Sequence, residues 1–196
     1  LEPSSGKLAC GDEGVGKLPE PDVIHEEILF DLSFDKDLKG RKVLVTAGAT
    51  QEAIDPVRYI TNHSTGRMGY AIAKAAAYRG AQVTLVTGRS GLPPIPYIDT
   101  VEITSAAEME REVLGYAPNA DYIFKAAAVA DYTPVQAADE KIKKQDGDMS
   151  IELKRTSDIL AEIKEIRRPD QIICGFSMET ENLLENSRSK LERKGL

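Results

Sequence analysis

Four short segments of this 196-residue chain carry residue types that could do chemistry. The first is 48–69, GATQEAIDPVRYITNHSTGRMG. It leaves an apolar run at Gly48 and enters helical spacing near Gly66, with the small residues Ser64 and Thr65 just before. A helix start of this kind presents unbonded N–H groups and a positive dipole end, which suit phosphate. A capped helix after a long polar loop reads equally well. The second segment is Ala126-Ala127-Ala128-Val129-Ala130-Asp131. Small residues at a strand end let a ligand approach the backbone, and Asp131 could hold a cation or a hydroxyl; tight core packing with Asp131 as a turn residue is the plainer alternative. The third is the run Lys141-Ile142-Lys143-Lys144 ahead of Gly147. A basic flap can close over a polyphosphate and neutralise charge on a leaving group, although such runs are usually solvated loops. The fourth is Gly175-Phe176-Ser177-Met178-Glu179-Thr180, with Lys190 and Lys194 one helical turn apart further on. Phe176 could stack on a base or simply fill a core.

These segments need a frame to bring them together. Residues 42–47, 82–88, 101–103, 121–124 and 171–176 are short apolar, β-branched runs, the mark of buried parallel strands. Helical spacing falls between them. Met68, Ala71, Ile72, Ala75 and Ala76 line one face of 67–79, with Gly80 as its stop. Ser105 and Glu108 form a capping box ahead of a helix to Tyr116. Ile159, Leu160, Ile163 and Ile166 line a helix over 158–167, with Thr156 or Ser157 as its cap. A strand is expected over 149–153, and a charged surface helix over 181–193. Strand–helix alternation at this pace predicts an α/β fold: a doubly wound, mostly parallel, Rossmann-like sheet with helices on both faces. Ligands of such sheets sit beyond the carboxyl ends of the strands, where the four segments fall. Residues 1–40 are rich in Gly, Pro and acids, with one short apolar stretch at Ile28-Leu29-Phe30, and read as a tail and linker. The nucleotide-binding domain is placed at 41–196. It stops where a parallel sheet would normally add another strand, so truncation at the C-terminus is expected.

Composition excludes several classes. Apolar residues make up 41% and charged residues 29%, as in soluble globular proteins. A net charge of −7 argues against a nucleic-acid partner. Two cysteines and two histidines, none at ligand spacing, rule out a disulfide framework and a zinc site, and fit a reducing cytoplasm. No apolar run approaches the ~20 residues of a membrane span. The first strand is not followed by GxGxxG, nor does an acid close the second, which ends Thr87-Gly88-Arg89. Both weigh against a dinucleotide oxidoreductase. A noncatalytic nucleotide-binding scaffold is the other alternative.

Taken in order, VLVTAGATQEAIDPVRYITNHSTGRMG, AAAVADYTP, KIKK, SDIL, GFSMET and the closing KLERKGL resemble the phosphopantothenate–cysteine ligase family over 41–196. Residues 6–20 resemble the end of the flavin-dependent decarboxylase to which bacterial ligases of this family are fused. Cys10 matches that enzyme's acid, inactive in this fragment, and FMN is expected only with the absent decarboxylase domain. The resemblance implies a ligase in coenzyme A biosynthesis. It uses CTP with Mg²⁺, takes 4'-phosphopantothenate and L-cysteine, and acts as a homodimer, or a larger oligomer when fused. By position, Asn62 and Ala128 match residues at the acyl group, with Asn62 catalytic. Lys141 matches the lysine over the phosphates. Asp131 matches a nucleotide-site aspartate near the metal. Gly48, Ser64, Thr65, Gly66, Met68, Lys125, Ala126, Ala127, Lys154, Arg155, Thr156, Ser157, Asp158, Phe176, Lys190 and Lys194 match nucleotide-contacting positions.

Overall fold

All five apolar runs enter one parallel sheet. The computed structural model describes residues 1–144 and 146–176. A hairpin, β1 (Ser4–Lys7) and β2 (Glu13–Lys17), leads into α1 (Pro21–Leu32). The domain proper then runs through β3 (Lys42–Ala47), β4 (Gln51–Ala53), β5 (Tyr59–Thr61), α2 (Arg67–Tyr78), β6 (Gln82–Thr87), β7 (Asp99–Glu102), α3 (Ala106–Tyr116), β8 (Tyr122–Lys125), β9 (Tyr132–Pro134), β10 (Leu153–Arg155), α4 (Ile159–Ile166) and β11 (Ile172–Gly175). The main sheet has the order β11-β8-β3-β6-β7, every pair parallel. The chain winds outward from β3 through β6 to β7, then returns to β3's other side for β8 and β11. The winding direction thus reverses between β3 and β8.

Alternation along β3 explains the two cores. Val43, Val45 and Ala47 face the alanine stripe of α2, made of Ala73, Ala76 and Ala77. Leu44 faces the opposite layer, where Met109, Val113, Ile159 and Ile163 come from α3 and α4. Each side chain of Leu44's size contributes about 1.5–3 kcal/mol by leaving water. With both faces covered, the strands read as unbroken apolar runs rather than alternating ones.

The helix starts follow local chemistry. Ser105 Oγ accepts from the Glu108 N–H at 3.2 Å, which forms the expected capping box. The cap of α4 differs from expectation: Asp158, not Thr156 or Ser157, accepts from the Ala161 N–H at 3.3 Å. Thr156 is engaged elsewhere, as described below. The strand expected over 149–153 begins at Leu153 and pairs antiparallel with β9. The polar stretch 49–66 holds a small hairpin, β4 against β5. Residues 1–40 contain α1, none of whose residues is fully buried. It docks on α2 through a Lys74–Glu26 ion pair of 2.6 Å, a Tyr78 hydroxyl bond to Glu26, and the Phe30 ring edge-on to Tyr78. The helix expected over 181–193 lies outside the described residues.

Candidate functional site

The site is built on the carboxyl ends of β3 and β8, where the winding reverses. On the β3 side the chain turns at Gly48 and, after the hairpin, enters α2 through Gly66; φ is +73° and +75° at the two glycines. The junction leaves no room for side chains. A Cβ on Gly66 would lie 3.2 Å from the Gly48 nitrogen, and one on Gly88 would lie 2.1 Å from the Ala49 carbonyl. Gly69 holds α2 against β3: its Cβ would fall 2.5 Å from that of Ala47. The first turn of α2 therefore opens directly beside the end of β3. Ser64 Oγ accepts from the Gly66 N–H at 3.4 Å, while Thr65 and Met68 are exposed.

On the β8 side, residues 126–131 are stitched to β3 by two buried threonines. Thr46 Oγ1 accepts from the Ala127 N–H at 3.1 Å, and Thr50 Oγ1 from the Ala130 N–H at 3.0 Å. Ala128 donates to the Gly48 carbonyl at 2.8 Å. From the far side, Thr156 donates its hydroxyl to the Ala130 carbonyl at 2.6 Å and its N–H to the Asp131 carbonyl at 3.0 Å. These bonds satisfy buried backbone groups that a loop would otherwise leave unpaired. They also give the AAAVAD segment one fixed course.

A cleft of about 670 Å³ opens between this segment, the start of α4 and the end of β11. Lys125, Ala127, Asp131, Arg155, Thr156, Ser157, Asp158 and Phe176 line it, together with residues such as Val129 and Leu160. Eight of the residues matched to nucleotide contacts thus fall on one surface. Its walls carry two cations, the buried Lys125 and the exposed Arg155, and two carboxylates, with Phe176 half exposed. Ala126 and Ala128 are half-buried beside it, and Lys154 is exposed on β10. Lys190 and Lys194 lie outside the described residues. Among the described residues no three His, Cys, Asp or Glu side chains gather as a metal cluster. Asp158 caps α4, while Asp131 is exposed at the cleft. This donor set fits a magnesium ion that arrives on a triphosphate and needs one or two protein carboxylates; Asp131 would be its ligand.

Asn62 follows β5 and is exposed. Its Nδ2 donates to the carbonyls of Val129 at 3.1 Å and Ala128 at 3.4 Å, which brings it to the edge of the AAAVAD segment. Lys141 is exposed and does not line the cleft. Its neighbour Ile142 is held by Asp55 and Arg58, two residues the motif reading passed over. Asp55 is buried and accepts from the N–H groups of Val57 and Arg58 at 2.8 Å each, from Arg58 Nε at 3.0 Å, and from the Ile142 N–H at 3.1 Å. The Arg58 guanidinium, followed by these backbone donors, holds its carboxyl far below the usual range. The signal in the sequence was an acid and an arginine flanking Pro56-Val57, at turn spacing. A second missed carboxylate, Glu52 of β4, is buried and accepts from the Ala106 N–H at 2.8 Å, at the start of α3. Cys10 is exposed in the turn between β1 and β2, its Sγ donating to Asp12 at 3.7 Å, and is not part of the cleft.

Strand order and glycine junction define a doubly wound α/β domain, and its candidate cleft lies at the carboxyl ends of β8 and β11, beside the reversal of winding. Comparison with known proteins narrows the class. The chain belongs to the family described as the DNA/pantothenate metabolism flavoprotein C-terminal domain, whose model matches residues 38–196. It is 47% identical over 199 residues to the coenzyme A biosynthesis bifunctional protein CoaBC of Bacillus subtilis (strain 168), covering 100% of this chain and 49% of that protein. It is 44% identical over 201 residues to a cysteine/cysteine sulfinic acid decarboxylase from an unknown prokaryotic organism, covering 100% of this chain and 56% of that protein. The chain thus spans about half the length of these curated relatives. The crystal structure of the C-terminal domain of CoaBC superposes with a TM-score of 0.71 at 42% identity, over 81% of this chain and 74% of that one.

Proposed function

We propose that this domain is a phosphopantothenate–cysteine ligase of coenzyme A biosynthesis. It joins L-cysteine to 4'-phosphopantothenate in the cytoplasm and uses CTP. The observation that carries the reading is the gathering of Lys125, Ala127, Asp131, residues 155–158 and Phe176 on one cleft, in a chain of this family, with Asn62 bonded to the carbonyl of Val129, one of the cleft's lining residues. In the first half-reaction the substrate carboxylate attacks the α-phosphorus of CTP and pyrophosphate leaves. A carboxylate is a poor acylating agent, and the mixed anhydride splits one hard step into two easier ones. Lys125, Arg155 and Lys141 offset the phosphate charge, and Phe176 offers a face to the base. Asp131 would hold the magnesium that comes with the triphosphate, which when bound would supply charge neutralisation. In the second half-reaction the cysteine amine attacks the acyl carbon and CMP leaves. Asn62 turns its carboxamide from the carbonyls of Ala128 and Val129 toward the acyl oxygen, where negative charge develops. The two subunits of a homodimer act together in this reading. Decarboxylation, in the name of one relative, is assigned to the part of that protein beyond this match.

The test is release of pyrophosphate and CMP from CTP and Mg²⁺ with 4'-phosphopantothenate, with and without cysteine. Steady release that requires both substrates is the expected result. Pyrophosphate release that ignores phosphopantothenate would refute the ligase reading. CTP binding with no release in any combination would favour a noncatalytic nucleotide-binding domain.

A further inference from the structure

The β4–β5 hairpin touches more of the site than its six strand residues suggest. Its base is locked to the domain: Gln51 donates to the Thr104 carbonyl at 2.7 Å, Glu52 accepts from the first amide of α3, and Thr61 donates to the Thr50 carbonyl at 2.7 Å. Its turn reaches the loop that bears the lysine run. The Ile54 carbonyl accepts from the Ala138 N–H at 2.9 Å. Four residues on, Ile142 is held twice, its N–H on Asp55 at 3.1 Å and its carbonyl on Arg58 Nη2 at 3.0 Å. Lys141 therefore lies between two backbone anchors on one rigid hairpin, whereas Lys143 and Lys144 lie beyond the second.

We propose that Asp55 is a positioning residue: with Arg58 it fixes the backbone of Ile142, and so sets where Lys141 meets the phosphates of the nucleotide. The inference rests on the ligase reading, in which Lys141 faces the triphosphate. A buried carboxylate bonded to an arginine fork and three N–H groups has little freedom to shift, and a bond to a charged acceptor is among the stronger ones. The same hairpin leads to Asn62. One element thus places the group that acts in each half-reaction, and Asp55 reaches the first of these through Ile142.

The test uses the full chain as wild type and as Asp55→Asn, with Arg58→Lys as a second variant that keeps the charge but loses the fork. Two readouts are taken: hydrogen exchange at the Ile142 amide, with β3 and β8 amides as a control for intact folding, and single-turnover pyrophosphate release from CTP and phosphopantothenate. In Asp55→Asn, Ile142 is expected to exchange at least tenfold faster with the strand amides unchanged. Pyrophosphate release should slow about tenfold, with KM for CTP changed less than threefold. If Asp55→Asn fails to fold, Arg58→Lys must show the same local pattern. Unchanged Ile142 exchange, or faster exchange with full-rate release, would overturn the role of Asp55 while leaving the ligase reading intact. A wild type that releases no pyrophosphate would overturn the ligase reading, and the role with it.

Discussion

Replacing Gly69 by alanine sets two effects against each other. Alanine is favoured over glycine inside a helix by about 1 kcal/mol, and the φ of Gly69 lies outside the left-handed region, so the backbone itself does not resist. The new methyl, however, would lie 2.5 Å from Ala47 Cβ and 2.8 Å from the Thr46 carbonyl oxygen. Carbon atoms settle at about 3.5–4.0 Å, so α2 must retreat from β3 by roughly 1 Å. Both obstacles belong to a buried strand that cannot yield. Overpacking of this kind costs about 1–3 kcal/mol, and contact with a carbonyl places Gly69→Ala toward the upper part of that range. The net loss is then about 1–2 kcal/mol, a fall in Tm of about 2–8 °C for a chain of this size. Gly115→Ala is the matched control. It sits in α3 with nothing within 4 Å of its Cβ, so it should gain up to about 1 kcal/mol and raise Tm by about 2–4 °C. Urea melts of the three proteins at one pH decide the matter. A Gly69→Ala protein as stable as Gly115→Ala would refute the tight seating of α2 on β3. The substitution should also weaken CTP binding, because the retreat carries the first turn of α2 away from Gly48.

Further expectations follow from single contacts. Asn62→Ala should slow acyl transfer to cysteine by about 10²-fold and leave activation nearly intact; equal loss in CMP and pyrophosphate release would remove Asn62 from its role. Lys141→Gln should slow pyrophosphate release, and an unchanged rate would place the lysine outside the reaction. Ser105→Ala removes the capping box of α3 and should cost about 1 kcal/mol in a denaturant melt. The Glu162 carboxyl is raised above the usual carboxylate range, chiefly by its bond to Glu110 and then by burial. A raised carboxyl means that the folded state holds the proton more tightly, so its stabilisation is complete below the unfolded value and is lost as pH rises through the folded one. Glu162→Gln should therefore be more stable than wild type at pH 7, by an amount on the exposed-pair scale of about 0.2–1 kcal/mol. The difference should vanish near pH 4. A gap that does not depend on pH would refute the account.

The parts of the fold legible in the sequence were those with long-range burial behind them. Runs such as 42–47 and 82–87 are apolar because both sheet faces are covered; α2 was legible as a helix, but its packed face was not, since Gly69, Ala73, Ala76 and Ala77 seat on β3 while Met68, Ala71 and Ala75 of the expected face are exposed. The β4–β5 hairpin was invisible for a physical reason: three-residue strands show no period, and its stability comes from Glu52, Asp55 and Arg58, which look like surface residues until their partners are known. Helix α1 escaped notice in the same way, since ion pairs and aromatic edges dock it without a buried apolar face. The α4 cap went to Asp158 because Thr156 was already committed to the AAAVAD segment, a contact made across 26 residues of chain. Site residues were named only through the family resemblance, and the cleft brings eight of those positions together. Spacing alone does not show which strand ends meet.

The outermost strand, β7, bears on a different property. Among the described residues it is the edge of the sheet, four residues long, with exposed Asp99 and Glu102 at its ends and Pro93, Pro94 and Pro96 leading into it. A second sheet that tried to extend this one would have to bring those carboxylates against its own backbone and strip their water, with no cation supplied in return. The proline-bearing approach offers few N–H groups to pair. This flank of the domain is therefore guarded against strand addition by charge rather than by cover.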